Sequence, residues 1–174
     1  MLSLGSGSCY LDPATFEQDH NMIDINDNLP PVDVLDSEGN TVNLAKLPAP
    51  FVLYFYPKAD TPGCTNEAKD FTALASEFAK AGCAVFGMSK DKPAKLAKFA
   101  AKYELGVTLL SDEASDATEQ MGVWVEKSMY GKSYMGIERA TFLVGKDNSI
   151  ARVWRKVKVK GHADEVLSAA KELG

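Results

Sequence analysis

Six consecutive apolar and aromatic residues, Phe51 to Tyr56, stand out from an otherwise mixed chain and set its organisation. A run of this length with no polar position reads as a strand covered on both faces, as at the centre of a parallel or mixed sheet. Pro57 ends it, and a short turn containing Pro62 and Gly63 leads into a helical pattern that opens at or just after Cys64. Ala68, Phe71, Ala75 and Phe78, with Leu74 beside them, recur at the spacing of a helix packed on a sheet. One helix is therefore predicted from about Cys64 to Ala79.

The flanking patterns are shorter. Val32 to Leu35 and Thr41 to Leu44, separated by turn residues Asp36 to Asn40, predict a partly polar hairpin at the edge of the fold. After a stop at Lys80 to Gly82, Cys83 to Met88 reads as a second buried strand, at a crossover distance suited to parallel neighbours. Leu96, Phe99, Ala100 and Tyr103 mark a helix face, Val107 to Leu110 a short strand, and Asp112 to Met121 a brief helix ended by Gly122. The segment from Trp124 to Ile137 is rich in charge, glycine, methionine and aromatic residues, and reads as a long loop. Its large side chains either shape a site or seal the adjacent core. Thr141 to Val144 and Ile150 to Trp154 form a second hairpin around Gly145 to Ser149, and a last helix spans about residues 162 to 172. This order of elements predicts an α/β fold of thioredoxin-like arrangement, with a central mixed β-sheet, helices on both faces and an N-terminal β-hairpin. Residues 1 to 22 read as an irregular arm and 23 to 174 as one domain.

Composition narrows the function. The 174 residues carry a formal net charge of −5, which gives no general attraction to nucleic acid or to an acidic membrane. A basic stretch of Arg152, Arg155, Lys156, Lys158 and Lys160 is the local exception, read either as a nucleic-acid contact or as the solvated side of the last hairpin. There is no apolar run of 18 residues and no basic segment followed by an apolar one at the amino terminus, so neither a membrane span nor an export signal is expected. Three cysteines, Cys9, Cys64 and Cys83, without a Cys-x-x-Cys pair and remote in sequence from His20 and His162, make neither a disulfide framework nor a metal site. A reducing, cytoplasmic setting is expected.

Cys64 carries the candidate chemistry. At a helix amino terminus, unpaired N–H groups and the positive end of the helix dipole favour a thiolate, the nucleophilic form. The competing reading is a small buried hydrophobe, the usual state of a free cysteine.

The stretch from Tyr54 to Lys58 and on through Thr61 to Thr65 resembles the active-site segment of a peroxiredoxin of the bacterioferritin-comigratory, or Q-type, group. Gly82 to Pro93, Thr108 to Glu113, Gly122 to Trp124 and Gly131 to Val144 continue the resemblance, which covers about residues 28 to 173. It implies a thiol-dependent peroxidase that reduces hydrogen peroxide and organic hydroperoxides without metal or organic cofactor. By that resemblance Cys64 is the peroxidatic cysteine, oxidised to a sulfenic acid, and Pro57, Thr61 and Arg139 complete the site. The local alternatives are a helix-cap or turn residue for Thr61, a strand-end surface charge for Arg139, and a local capping or pairing group for Glu67.

The resolving thiol departs from the family pattern. Many members carry a second cysteine five residues beyond the first, where this chain has Lys69; others carry it in the next helix, and none lies between Pro93 and Tyr103. A helix from Cys64 to Ala79 would be about 23 Å long, with Cys83 beyond its far end, whereas a disulfide needs Cα atoms within about 7 Å. The preferred expectation is a one-cysteine cycle resolved by an external thiol such as thioredoxin, glutaredoxin or glutathione, in a monomer or weak dimer. Resolution by Cys83 or Cys9, and a redox-sensing interaction protein using the same Cys64, are the alternatives.

Overall fold

The computed structural model describes residues 23 to 173, so Cys9 and the expected arm lie outside the described residues. In chain order the elements are β1 (Asp33–Asp36), β2 (Thr41–Asn43), a 3-10 turn (Leu44–Lys46), β3 (Phe51–Phe55), α1 (Pro62–Ala73), α2 (Ala75–Lys80), β4 (Ala84–Ser89) and α3 (Pro93–Tyr103). Then follow β5 (Thr108–Ser111), α4 (Ala117–Gln120), β6 (Trp124–Met129), β7 (Lys132–Ile137), β8 (Ala140–Val144), β9 (Ile150–Trp154) and α5 (His162–Leu173). Seven strands form one mixed sheet in the order β2-β1-β5-β4-β3-β8-β9. The β3–β4 and β4–β5 pairs are parallel and the rest antiparallel. The thioredoxin-like mixed sheet is thus present, with its N-terminal hairpin at one edge.

The apolar run at β3 is divided between two cores by the alternation of a strand. Val52, Tyr54 and Tyr56 enter the layer beneath α1, α2, α3 and α5, together with Phe71, Phe78, Phe99 and Val166. Phe51, Leu53 and Phe55 enter the opposite layer with Phe86, Met88, Phe142, Ile150 and the residues around the short α4. All five β3 residues are buried, which is why no polar position interrupts the run. Helices therefore cover both faces, the long ones on one side.

Two expected elements differ. The first helix begins at Pro62, not at Cys64, and is split at Leu74, whose φ of −101° and ψ of 6° leave the helical region while its N–H bonds back to Phe71. The segment from Trp124 to Ile137 is a two-stranded antiparallel sheet, not a loop. Its turn is two residues long, with positive φ at both Tyr130 (53°) and Gly131 (79°), the geometry that matches strand twist. Because most of its side chains are exposed, it lacks the apolar alternation that marks a half-buried strand. Among the described residues no helix is long and apolar enough to cross a membrane.

Candidate active site

Cys64 is the third residue of α1 and is 2% exposed. Pro62 opens the helix at a position where a missing N–H costs nothing. Thr61 precedes it as the capping residue, but its side chain makes no cap bond. Instead the Thr61 hydroxyl donates to the Lys58 carbonyl at 2.8 Å, leaving its oxygen lone pairs free to accept. With no side chain capping the helix, the Gly63 and Cys64 amides point from its start as unpaired donors.

Sheet register delivers the cation. In the antiparallel β3–β8 pair Phe55 lies opposite Ala140, so Arg139 falls just past the end of β3, where the chain turns toward Cys64. Arg139 Nη2 lies 3.3 Å from Cys64 Sγ, and Nη1 donates to Glu67 Oε1 at 2.7 Å. Burial works against the Arg139 charge, but Glu67 and Cys64 outweigh it and raise its pKa. The Val157 N–H donates to the Arg139 carbonyl at 3.0 Å, which fixes the backbone behind the guanidinium.

Glu67 sits one turn after Cys64 on the buried face of α1 and is 1% exposed. Burial pushes its carboxyl up to about 7 against the pull of Arg139. Its second oxygen, Oε2, has no hydrogen-bond partner among the described residues. Reading Glu67 as a local cap or partner misses this pairing across 72 residues. The available signal was its place on the Cys64, Ala68, Phe71 face of the helix, where an acid is buried and requires a cation.

The structure thus joins Cys64 to Arg139, keeps Thr61 at the helix start, and leaves Pro57 exposed at the beginning of the intervening turn. The β6–β7 hairpin contributes Lys127, whose pKa is lowered by burial and by Arg139. Cys83 belongs elsewhere. It is buried just before β4, at the opposite end of the parallel β3–β4 pair from the turn that leads to Cys64, and burial pushes its thiol up to about 11. Both described cysteines are free.

A helix start carrying a buried thiol, a guanidinium in contact with it and unpaired amides beside it can hold a small polar substrate and stabilise negative charge as a bond to sulfur forms. Known proteins share this arrangement of chain. The AhpC/TSA family matches residues 25–153. Putative peroxiredoxin bcp of Coxiella burnetii is 45% identical over 146 residues, covering 83% of this chain and 97% of that one. Peroxiredoxin Bcp of Escherichia coli is 46% identical over 153 residues, covering 87% and 98%. Peroxiredoxin Q of Xanthomonas campestris, in one solved structure, superposes with a TM-score of 0.76 at 44% identity, over 81% of this chain and 90% of that one.

Proposed function

The chain belongs to the AhpC/TSA family, in its Bcp or peroxiredoxin Q group, and on that footing we propose that Cys64 attacks the peroxide while Arg139, Thr61 and the α1 amides organise the attack. The protein is a thiol peroxidase that consumes a hydroperoxide and an external thiol.

The cycle has two halves. The Cys64 thiolate attacks the terminal peroxide oxygen, the O–O bond breaks, and the leaving oxygen departs as an alkoxide or hydroxide that takes a proton to become alcohol or water. Cys64 is left as a sulfenic acid. A thiol then attacks that sulfur, expels water and forms a mixed disulfide, and a second thiol releases Cys64 as the thiol and leaves the reductant oxidised.

Each neighbour has a task in the first half. Arg139 supplies fixed positive charge to the sulfur and to the oxygens as charge shifts between them. The Thr61 hydroxyl, which donates its own hydrogen bond to the Lys58 carbonyl, accepts one from the peroxide O–H and so orients it. The Gly63 and Cys64 amides face the oxygen that becomes negative. Pro57 shapes the turn without adding an N–H that would compete for substrate.

This assignment rests on one contact, the 3.3 Å approach of Arg139 to Cys64 with Glu67 holding the same guanidinium from its other side. The position of Cys83 at the far end of the sheet supports a one-cysteine cycle. Since Cys64 is 2% exposed, an external thiol reaches the sulfenic acid only after the first turn of α1 opens. Thioredoxin, glutaredoxin and glutathione are the candidate reductant classes.

The test is hydrogen peroxide consumption with dithiothreitol as reductant. Wild-type protein is expected to turn over many times per Cys64, and Cys64→Ser to have no activity while keeping its circular dichroism. Turnover that survives in Cys64→Ser would move the chemistry to another residue.

A further inference from the structure

Five basic residues and no acidic one lie between Arg152 and Lys160, in a chain whose net charge is −5. Their partners differ. Arg155 is committed, donating to the Gly122 carbonyl and to Glu138. Arg152 is exposed and lies over the Trp154 ring. Lys156, Lys158 and Lys160 are exposed, alternate with half-buried Val157 and Val159, and make no ion pair among the described residues. The three lysines border one open cleft at the start of α5, where Glu165 is the single acid among the lining residues.

The position of this stretch gives the charge a use. Val157, between two of the lysines, is hydrogen-bonded to the backbone of Arg139, the residue that touches Cys64. The hydroperoxide group itself is neutral, so ammonium groups beside the site act on a peroxide only through a separate anionic group, and hydrogen peroxide has none. Lys156 and Lys160 are separated by up to about 14 Å of chain, with Arg152 further along β9. That spread exceeds what the one or two carboxylates of a small thiol can face together, and it suits a macromolecular surface.

We infer that the Arg152 to Lys160 rim is the docking surface for the regenerating partner, a dithiol protein with an acidic face around its reactive cysteine. The inference rests on the external-thiol cycle proposed above. Complementary charge raises encounter rates by roughly tenfold or more, and the effect fades as salt shortens the screening length to about 8 Å.

The experiment compares wild type with the triple variant K156E/K158E/K160E, with reductant limiting and hydrogen peroxide in excess. One arm uses an acidic thioredoxin recycled by its reductase and NADPH; the others use dithiothreitol and glutathione. At low ionic strength the variant is expected to lose about tenfold or more in kcat/KM for thioredoxin, and wild type to slow toward the variant as salt is added. Dithiothreitol turnover, which reports the peroxidase chemistry itself, is expected to be equal in the two proteins, as are their melting temperatures. No thioredoxin-supported turnover in wild type, an equal kcat/KM in the variant, or a loss confined to glutathione would overturn the assignment. So would salt-sensitive binding of an oligonucleotide by wild type and not by the variant, which would give the rim to nucleic acid. Absence of dithiothreitol turnover in wild type would instead remove the peroxidase reading on which the docking surface rests.

Discussion

Arg139 shares one guanidinium between a thiol and a carboxylate, and the consequences are separable by substitution. Arg139→Met removes the charge beside Cys64 and is expected to lower the second-order rate constant with hydrogen peroxide about 100-fold to 1,000-fold, the usual cost of deleting one donor to developing charge. Stopped-flow competition for peroxide measures it. Glu67 and His162 set opposite pH dependences of stability. A native Glu67 carboxyl that keeps its proton to about 7, where the unfolded chain loses it near 4.5, gives stability that is full at low pH and is lost as pH rises through about 7. His162, buried against Thr141 at 2.8 Å, titrates near 4 because burial disfavours its charge. Its contribution is present above 6.5 and lost as pH falls toward 4. The two slopes overlap and oppose each other, each limited to about 3 kcal/mol. Urea unfolding of Glu67→Gln is therefore expected to show stability rising with pH from about 4 to 6.5, and His162→Gln to show it falling from about 4.5 to 7. Parallel profiles in the two variants would contradict the burial argument. Cys64 was legible at this scale because a thiol flanked by Pro62, Gly63 and two threonines after the central strand is poorly placed as core filler. Arg139 was not legible from local pattern, since its partner lies 75 residues away and only the β3–β8 register brings them together; the resemblance supplied it.

The start of α1 is the element on which function turns. A Cβ added to Gly63 would stand 3.3 Å from Arg139 Nη2, in a guanidinium whose Nη1 is held by Glu67. Alanine suits a helix better than glycine by roughly 1 kcal/mol, so Gly63→Ala is expected to hold or raise the melting temperature while slowing the peroxide reaction several-fold. Calorimetry and peroxide kinetics on the one variant separate the two effects. Elements with strong apolar periodicity, such as β3 and α3, could be read directly from the chain. The β6–β7 hairpin could not, because its strands are held by their own ladder, with Met129, Tyr130, Tyr134 and Met135 exposed. A two-residue turn of Tyr130 and Gly131 between six-residue segments was the available signal. The break at Leu74 had no signal, since the apolar spacing runs through it.

At the scale of the whole molecule, the sheet keeps the two described thiols apart. Cys64 stands beyond the carboxyl end of β3 and Cys83 at the amino end of β4, with five paired residues between those ends, about 13 Å of strand. Opening one helical turn at Cys64 exposes its sulfur without carrying it down the sheet. The thioredoxin-like fold thus holds Cys64 at one end of the sheet and Cys83 at the other, too far apart for Cys83 to resolve it. The most direct test is peptide-resolved mass spectrometry of reduced protein treated with one equivalent of hydrogen peroxide in the presence of a sulfenic-acid trap. A single trapped oxidation at Cys64, with Cys83 unmodified and no intramolecular crosslink, is the expected result. A disulfide from Cys64 to Cys83 or Cys9 would contradict the one-cysteine cycle, and an unmodified Cys64 would contradict its role in attacking the peroxide.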